Sequence, residues 1–484
     1  MKNIVIIGGG LGGLSNGALL AKNGYKVTLL EQHSIVGGCA TIFKRKGGFT
    51  CEVGLHEMNG VYTSPAIKKV FGELDVYNNM EFIKPDEFFK VYYKGGSFVM
   101  PDNKNQAIKA LKQKFPEESR AIDKYFKILE DITKCYDKLD SLKWYEMLLF
   151  PILLYPILKY KSKSVTDVFD TLTSNEELRL ILNANVGYYN DSPDTLCFLL
   201  HAIAQNSYFK GGGYFIRGGS YKLSSYFEKV INDNGGEVII KADVIKASKN
   251  EIIYKKKGEE YTLKADIIVS NISPKDTYRL YDMPYEEKLK LSESITTVYL
   301  GFSKNLKEVY GKQSYSSFLF DDLSSDKEID IMMKRDVEDR GFVFADYSQL
   351  DSGLTSDDKS FAEVCIMDEL CNWESLDNEA YKNKKEKIIE KVLDKLEIHY
   401  PNIKEIVELA EVGTPKTMQR YLRTPNGTAY GYKPSPEQFF RIPKLKSDKV
   451  YNLYFAGQFV LGGGFSAAII SGNMCYEKIV EDTK

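Results

Sequence analysis

The sequence predicts an α/β protein built on a doubly wound, Rossmann-like dinucleotide-binding domain, and three observations carry the prediction. A β-branched run, Ile4-Val5-Ile6-Ile7, ends directly in the glycine-rich stretch Gly8-Gly9-Gly10-Leu11-Gly12-Gly13. A helical stretch from Leu14 to Lys22 follows and stops at Gly24. A second strand, Lys26 to Leu30, then delivers an acid, Glu31, eighteen residues beyond Gly13.

Each element has a physical reason. Within the GxGxxG pattern, Gly8 permits a tight turn, Gly10 lets backbone approach a pyrophosphate, and Gly13 lets helix and strand pack closely. Leu11 and Gly12 complete the loop, and the helix N-terminus offers unpaired N–H groups to phosphate oxygens. Glu31, with Gln32 beside it, suits ribose hydroxyls and would repel a 2′-phosphate, which disfavours NADP. Glycines, strands, helix and acid in register make a far stronger signal than a lone glycine motif.

Composition narrows the function. The 484 residues include 43% hydrophobic side chains, enough to fill two or three domain cores. Lys and Arg number 65 against 67 Asp and Glu, so no excess of positive charge points to nucleic acid. Seven scattered cysteines without a CxxC suit a reducing compartment. The chain passes from Met1-Lys2-Asn3 straight into the first strand, from which a cytoplasmic location is expected. The 33 tyrosines and 26 phenylalanines fit either an aromatic-lined pocket or a general compositional bias.

A glycine pair follows the acid, in Gly37-Gly38-Cys39-Ala40-Thr41-Ile42-Phe43. The run EQHSIVGGCATIF, followed by GFTCEVGLH, resembles the flavoprotein family of phytoene desaturases, plant-type carotenoid isomerases and retinol saturases, and more distantly amine oxidases. The GGCA and GLH forms are most similar to the isomerase and saturase branch. This resemblance implies noncovalent FAD, with Gly37, Gly38 and Cys39 against it. Gly212 to Leu223 resembles the family's central motif, whose helix runs to about Asn232 before Gly235-Gly236 and the strand Glu237 to Ile240. Val244 joins the cofactor-binding set just beyond that strand. Ala265 to Asn271 resembles the strand returning to the FAD domain, and Thr414 to Gly431 the segment before the last FAD motif, where Tyr430 is a candidate substrate contact.

That last motif is Asn452 to Gln458 and Leu461 to Gly472. A strand should end at Gly457 and a helix start near Gly464, with Phe465 and Ser466 in its first turn. Its N–H groups would face the flavin's pyrimidine edge. Gln458 stands where many flavoproteins carry an acid. The stretch Ser471 to Tyr476, with Cys475, superficially resembles a covalent flavin anchor, but its place inside the final helix argues for packing. The resemblance also implies the architecture. An FAD-binding domain comprises 1–75, 211–284 and 440–484, and an α+β substrate domain comprises 76–210 and 285–439. A hairpin from Phe88 to Phe98 turning at Gly95-Gly96 should belong to a small sheet in the latter.

Candidate catalytic groups are few. If Glu52 to Met58 were extended, Glu52, His56 and Met58 would share one face and Glu57 the other, with Glu52 and His56 about 13 Å apart. His56 is therefore the candidate proton donor or relay, with a packing role against the cofactor as its alternative; Glu52 is expected to be a structural acceptor. His201, in the apolar stretch Phe198 to Ala202, is either a substrate-facing group or a core histidine. His33 and His399 read as surface residues, and four dispersed histidines give no metal-ligand spacing. Met147 to Leu158 carries no charge and is flanked by Trp144, Tyr145 and Lys159 to Lys163. It is too short for a bilayer span of ~20 residues, and 144–163 reads either as a membrane-surface contact or as a buried helix or tunnel wall.

The expected activity is FAD-dependent desaturation, saturation or isomerisation of C–C or C=C bonds in a polyene, isoprenoid or similar lipophilic substrate. The alternatives are an amine oxidase-like flavoenzyme and a non-catalytic prenyl-chain carrier like the GDP-dissociation inhibitors.

Overall fold

The computed structural model describes residues 2–54, 56–139, 154–441 and 443–484. Five parallel strands form the first sheet, in the order Glu237–Ile240, Lys26–Glu31, Asn3–Ile7, Ile267–Ser270 and Leu453–Phe455. The strand order reverses beside Asn3–Ile7, and open α/β sheets bind ligands at the carboxyl ends of strands at such a point. The strands read as near-continuous apolar runs because both faces are covered, one by helices and the other by the antiparallel strands Asp243–Ala247, Glu251–Lys256 and Glu259–Lys264. Ile6 and Leu29 are fully buried, as is Val269 opposite Ile6.

The first helix spans Leu11–Lys22, so Gly12 and Gly13 lie inside it rather than before it. The Leu14 N–H already donates to the Gly10 carbonyl at 2.9 Å, which closes the first turn at the end of the glycine loop. The last helix, Phe465–Thr483, crosses it so closely that a Cβ on Gly472 would sit 2.1 Å from Ser15 Oγ and 2.6 Å from the Gly12 carbonyl. Asn16 Nδ2 donates to the Gly472 carbonyl at 3.1 Å across the same contact. The central helix runs Tyr221–Asp233 and packs on the first helix from the other side.

The Phe88–Phe98 hairpin forms between Phe89–Tyr93 and Gly96–Met100, turning at Gly95 with φ +96°. It does not belong to a small sheet. It is one edge of seven strands, continuing through Ser316–Phe320, Phe342–Asp346, Ser360–Asp368, Ser294–Phe302 and Val407–Gly413. All neighbours pair antiparallel except Phe89–Tyr93 with Ser316–Phe320. Helices pack on this sheet on both sides. Ser119–Leu139 and Phe198–Gly211 share one core with the hairpin, and Asn378–His399 shares another with Ser360–Asp368.

Of the 144–163 segment, residues 144–153 lie outside the described residues. In the remainder, Leu154 and Ile157 are buried and Tyr155 and Leu158 are exposed. Among the described residues no helix is long and apolar enough to cross a membrane.

The crossing of the first and last helices leaves no space for a side chain. Gly472→Ala is expected to lower stability by about 1–3 kcal/mol, as overpacking does, and to loosen the loop that the first helix carries. A denaturant midpoint shifted at constant slope, together with weaker dinucleotide retention, is the expected result.

Candidate active site and cofactor cavity

One cavity of about 320 Å³ opens at the carboxyl ends of the five-stranded sheet and continues under the seven-stranded one. At the first end its wall is the glycine loop, Gly8 to Gly12, with Glu31 and Gln32. Glu31 is buried and does structural work of its own: Oε2 accepts from the Gly9 N–H and Oε1 from the His33 N–H, both at 2.7 Å. Gly37, Gly38, Cys39 and Val244 join the same wall. Gly37 (φ +121°) donates its N–H to the Gly9 carbonyl at 2.7 Å, and a Cβ there would lie 2.1 Å from the Ala40 carbonyl. The glycine pair thus presses its backbone onto the first loop.

Gly457, Gln458, Gly464 and Phe465 line the cavity from the chain's other end. Gly464 (φ +95°) caps the last helix with no side-chain hydrogen bond, and Gly10 caps the first helix in the same way. Two helix N-termini therefore turn unpaired N–H groups and positive dipole ends toward one space. Nothing lies within 4 Å of the space a Cβ at Gly464 would take. This cradle of bare backbone, bounded by Glu31, fits a dinucleotide.

The other predicted cofactor residues stand behind this wall. Gly13 supports the loop by contact, since a Cβ there would lie 2.3 Å from the Gly8 carbonyl. Ser466 Oγ donates to the Asn59 carbonyl at 2.7 Å. Cys475 is fully buried in the core away from the cavity, and burial raises its thiol pKa.

At the other end the cavity is apolar, walled by Ile295, Phe318, Phe320, Met332 and Phe342, and Tyr430 lines it as well. His201 does not. It lies in the helical core at 0% exposure, where Tyr125 OH sits 3.0 Å from Nε2 and Tyr189 OH 3.4 Å from Nδ1. Burial pushes its pKa down to about 3, so it is neutral and satisfied where it stands.

Residues 52–58 are not one extended strand. Phe49–Glu52 and Met58–Asn59 pair with different partners, and the chain bends between them at Val53 and Gly54. Glu52 is buried and ties this bend to the central motif. Oε1 accepts from Ser220 Oγ at 2.5 Å and Val53 N–H at 3.0 Å, and Oε2 accepts from the Ser220 N–H at 2.7 Å. Burial raises its pKa and those hydrogen bonds oppose the rise. Glu57 points away from His56, against Gly213, and burial raises its pKa with Asp102 adding to the effect.

His56 lines the cavity, and Tyr315 OH anchors its backbone carbonyl at 2.7 Å. Its partners were not legible in the sequence. Nε2 lies 3.3 Å from Cys365 Sγ and 3.7 Å from Glu363 Oε2, and Tyr347 OH donates to that same Oε2 at 3.0 Å. Burial holds the His56 pKa down at about 4 and keeps the Glu363 carboxyl well above its usual range, with Glu52 adding to the latter. Some 309 residues separate His56 from Cys365, so no local spacing could have joined them. The alternation of Glu363 and Cys365 on one strand was the single available hint.

A doubly wound sheet with a two-helix cradle opening into an apolar cavity defines a dinucleotide-binding architecture with room for a second, apolar ligand. Residues 6–74 match a family described as NAD(P)-binding Rossmann-like domain. Over the whole chain the similarity is to enzymes of carbon–carbon double bonds. The all-trans-retinol 13,14-reductase of Danio rerio is 26% identical over 97% of this chain and 84% of its own length. The chloroplastic prolycopene isomerase 1 of an Oncidium hybrid cultivar is 25% identical over 99% and 84%. This full-length likeness fits the carotenoid and retinoid oxidoreductase family. Solved structures share the fold. An oxidoreductase from Methanosarcina mazei superposes with TM-score 0.62 at 16% identity, covering 99% of this chain and 100% of that one. A putrescine oxidase bound to putrescine gives 0.64 at 14%, covering 99% of each. A Rab GDI from Plasmodium falciparum gives 0.57 at 14%, covering 99% and 98%.

Removing the Glu31 carboxylate strips two backbone N–H groups of their charged acceptor. Glu31→Ala is expected to weaken dinucleotide binding by about 1.5–3 kcal/mol, roughly 10- to 100-fold. Calorimetric titration checks this; unchanged affinity would show that the carboxylate neither holds the loop nor meets the cofactor.

Proposed function

We propose that the protein is an FAD-dependent oxidoreductase that desaturates, saturates or isomerises carbon–carbon bonds of a polyene or isoprenoid substrate. The observation that carries this reading is the single cavity, which joins a dinucleotide cradle to an apolar chamber without a wall between them. Bound FAD supplies hydride transfer to or from a carbon of the substrate. The chain's own residues do the rest. Gly8, Gly10, Leu11 and Gly12 receive the pyrophosphate at the first helix N-terminus, and Glu31 with Gln32 receives the ribose. Gly37, Gly38, Cys39 and Val244 close over the adenosine half. Gly457, Gln458, Gly464 and Phe465 hold the isoalloxazine, and Gly13 and Ser466 brace that frame.

FAD is held noncovalently in this reading. Cys39 faces the cavity, but burial pushes its thiol up to about 11, so it is not the thiolate an adduct would need. The apolar wall from Phe318 to Phe342 excludes water and accommodates a lipophilic chain, and His56 and Tyr430 line the same cavity. An amine substrate gains less from such a wall. A carrier without cofactor would have no use for two open helix N-termini above a buried ribose acid. A membrane-surface contact through 144–163 would let a lipophilic substrate enter from the bilayer, with a buried helix or tunnel wall as the alternative for that segment.

Anaerobic titration of the FAD-loaded protein with polyene, isoprenoid and amine panels tests the assignment. Oxidised protein bleached by a polyene, or reduced protein recoloured by one, is the expected result. Product mass then separates desaturation, saturation and isomerisation as loss, gain or retention of a hydrogen pair. Turnover of amines alone would move the protein to the amine oxidases, and a chain that takes up no FAD would make it a carrier. For the membrane contact, liposome flotation should be lost in Leu149→Glu/Leu153→Glu. Equal and negligible flotation of both proteins would exclude it.

A further inference from the structure

We propose that His56 Nε2, Glu363 Oε2 and Cys365 Sγ form a three-ligand site for a borderline divalent cation, Zn²⁺ foremost, in the wall of the apolar chamber. The donor atoms of these residues all lie within 4.8 Å of one another. His56 Nε2 is 3.3 Å from Cys365 Sγ and 3.7 Å from Glu363 Oε2. A tetrahedral Zn²⁺ with Zn–S of about 2.3 Å and Zn–N of about 2.0–2.1 Å sets its ligand atoms about 3.5 Å apart. The side chains therefore stand at ligation spacing already.

The scaffold is rigid where such a site needs it. Glu363 and Cys365 are two residues apart on Ser360–Asp368, so they project from one face, and that strand is hydrogen-bonded on both sides. Tyr347 OH fixes the Glu363 carboxylate, a support typical around metal ligands. Thr297, paired with Cys365 across the sheet, places Oγ1 3.7 Å from its sulfur. Among the described residues the His56 ring makes no hydrogen bond outside the cluster, and Nδ1 has no partner.

The donor set selects the ion. One nitrogen, one oxygen and one sulfur suit Zn²⁺ or Co²⁺; Mg²⁺ and Ca²⁺ require oxygen shells. A doubly charged cation with one carboxylate, one thiolate and one neutral imidazole sums to zero, the total a water-poor site tolerates. His56 and Cys365 both line the cavity, so the fourth coordination position opens into the chamber. Three protein ligands with an open position is the pattern of exchangeable zinc rather than of closed structural sites. An ion there narrows the chamber, and if the chamber holds substrate as proposed above, ion and substrate compete. The site itself rests on geometry alone and stands whether or not that function is right.

The test uses the whole FAD-treated chain, freed of metal by a chelator and titrated with Zn²⁺ in a calorimeter. One equivalent per chain is expected. Cys365→Ser and Glu363→Gln should each weaken binding at least about 100-fold. Cys371→Ser, which changes an exposed cysteine outside the cavity, should leave it unchanged. Co²⁺ added to the wild type gives a readout free of folding defects: tetrahedral d–d bands at longer wavelength than the flavin absorption. Sub-stoichiometric Zn²⁺ uptake, an octahedral Co²⁺ spectrum, or full affinity in Cys365→Ser would each overturn the site.

Discussion

The structure depends on a place where three distant segments meet with no room for a β-carbon. A Cβ on Gly12 would lie 2.6 Å from Asn271 Oδ1 and 2.6 Å from the Gly457 nitrogen, and one on Gly457 would lie 2.3 Å from that same Oδ1. Asn271 holds the junction by donating its backbone N–H to the Ile7 carbonyl at 2.9 Å and Nδ2 to the Gly8 carbonyl at 3.3 Å. The contact closes the first strand–helix unit against the returning strand and the final motif. Because these peptides pack directly, their N–H groups are oriented by backbone and not by flexible side chains. A site for a long cofactor formed from separate chain segments requires that property.

Within each unit, segments distant in sequence are joined by polar ties that are largely buried. Glu52 binds the bend at Val53 and Gly54 to Ser220 at the start of the central helix. A Cβ on Gly219 would lie 2.9 Å from Glu52 Oε2, so the glycine is needed for that approach. Lys433 pairs with Asp191 at 3.0 Å and Glu293 at 2.5 Å, joining the segment before the last motif to the substrate-side chain. Buried pairs of this kind are weak sources of stability but strongly restrict alternative packings, because a broken pair leaves an uncompensated charge. Here they hold the separate segments of each unit in register with one another.

The parts legible in sequence are those whose chemistry is local. Gly8 to Gly13, Glu31 and Gly37-Gly38 need positive φ, bare backbone or a strand-end acid at short separations, and each leaves a trace in a window of a few residues. The Phe89–Met100 hairpin was readable for the same reason, with glycines at its turn. The sheet it joins was not. Thr297 lies opposite Cys365, and Lys90 opposite Ser317, by register set between strands about 70 and more than 200 residues apart, and alternation within a strand says nothing about its neighbour. The same limit hid Glu363 and Cys365 from His56. For His201 periodicity gave the element correctly but not its surroundings, since an apolar helix presents a histidine equally well to a core or to a cavity.

What finally distinguishes the two ends of the cavity is how each treats charge. The glycine-loop end leaves backbone dipoles unpaired and keeps its acid as an acceptor of N–H groups, so it receives an anionic ligand at low reorganisation cost. The chamber end does the opposite. Its titratable groups, His56, Glu363, Cys365 and Tyr430, are all driven toward neutrality by burial. A neutral wall with polar atoms still in contact tolerates an apolar chain alongside it, yet can take up charge if a cation supplies the balance. The same low-dielectric setting that admits a polyene therefore makes the cluster of nitrogen, oxygen and sulfur selective for an ion whose charge its own ligands cancel.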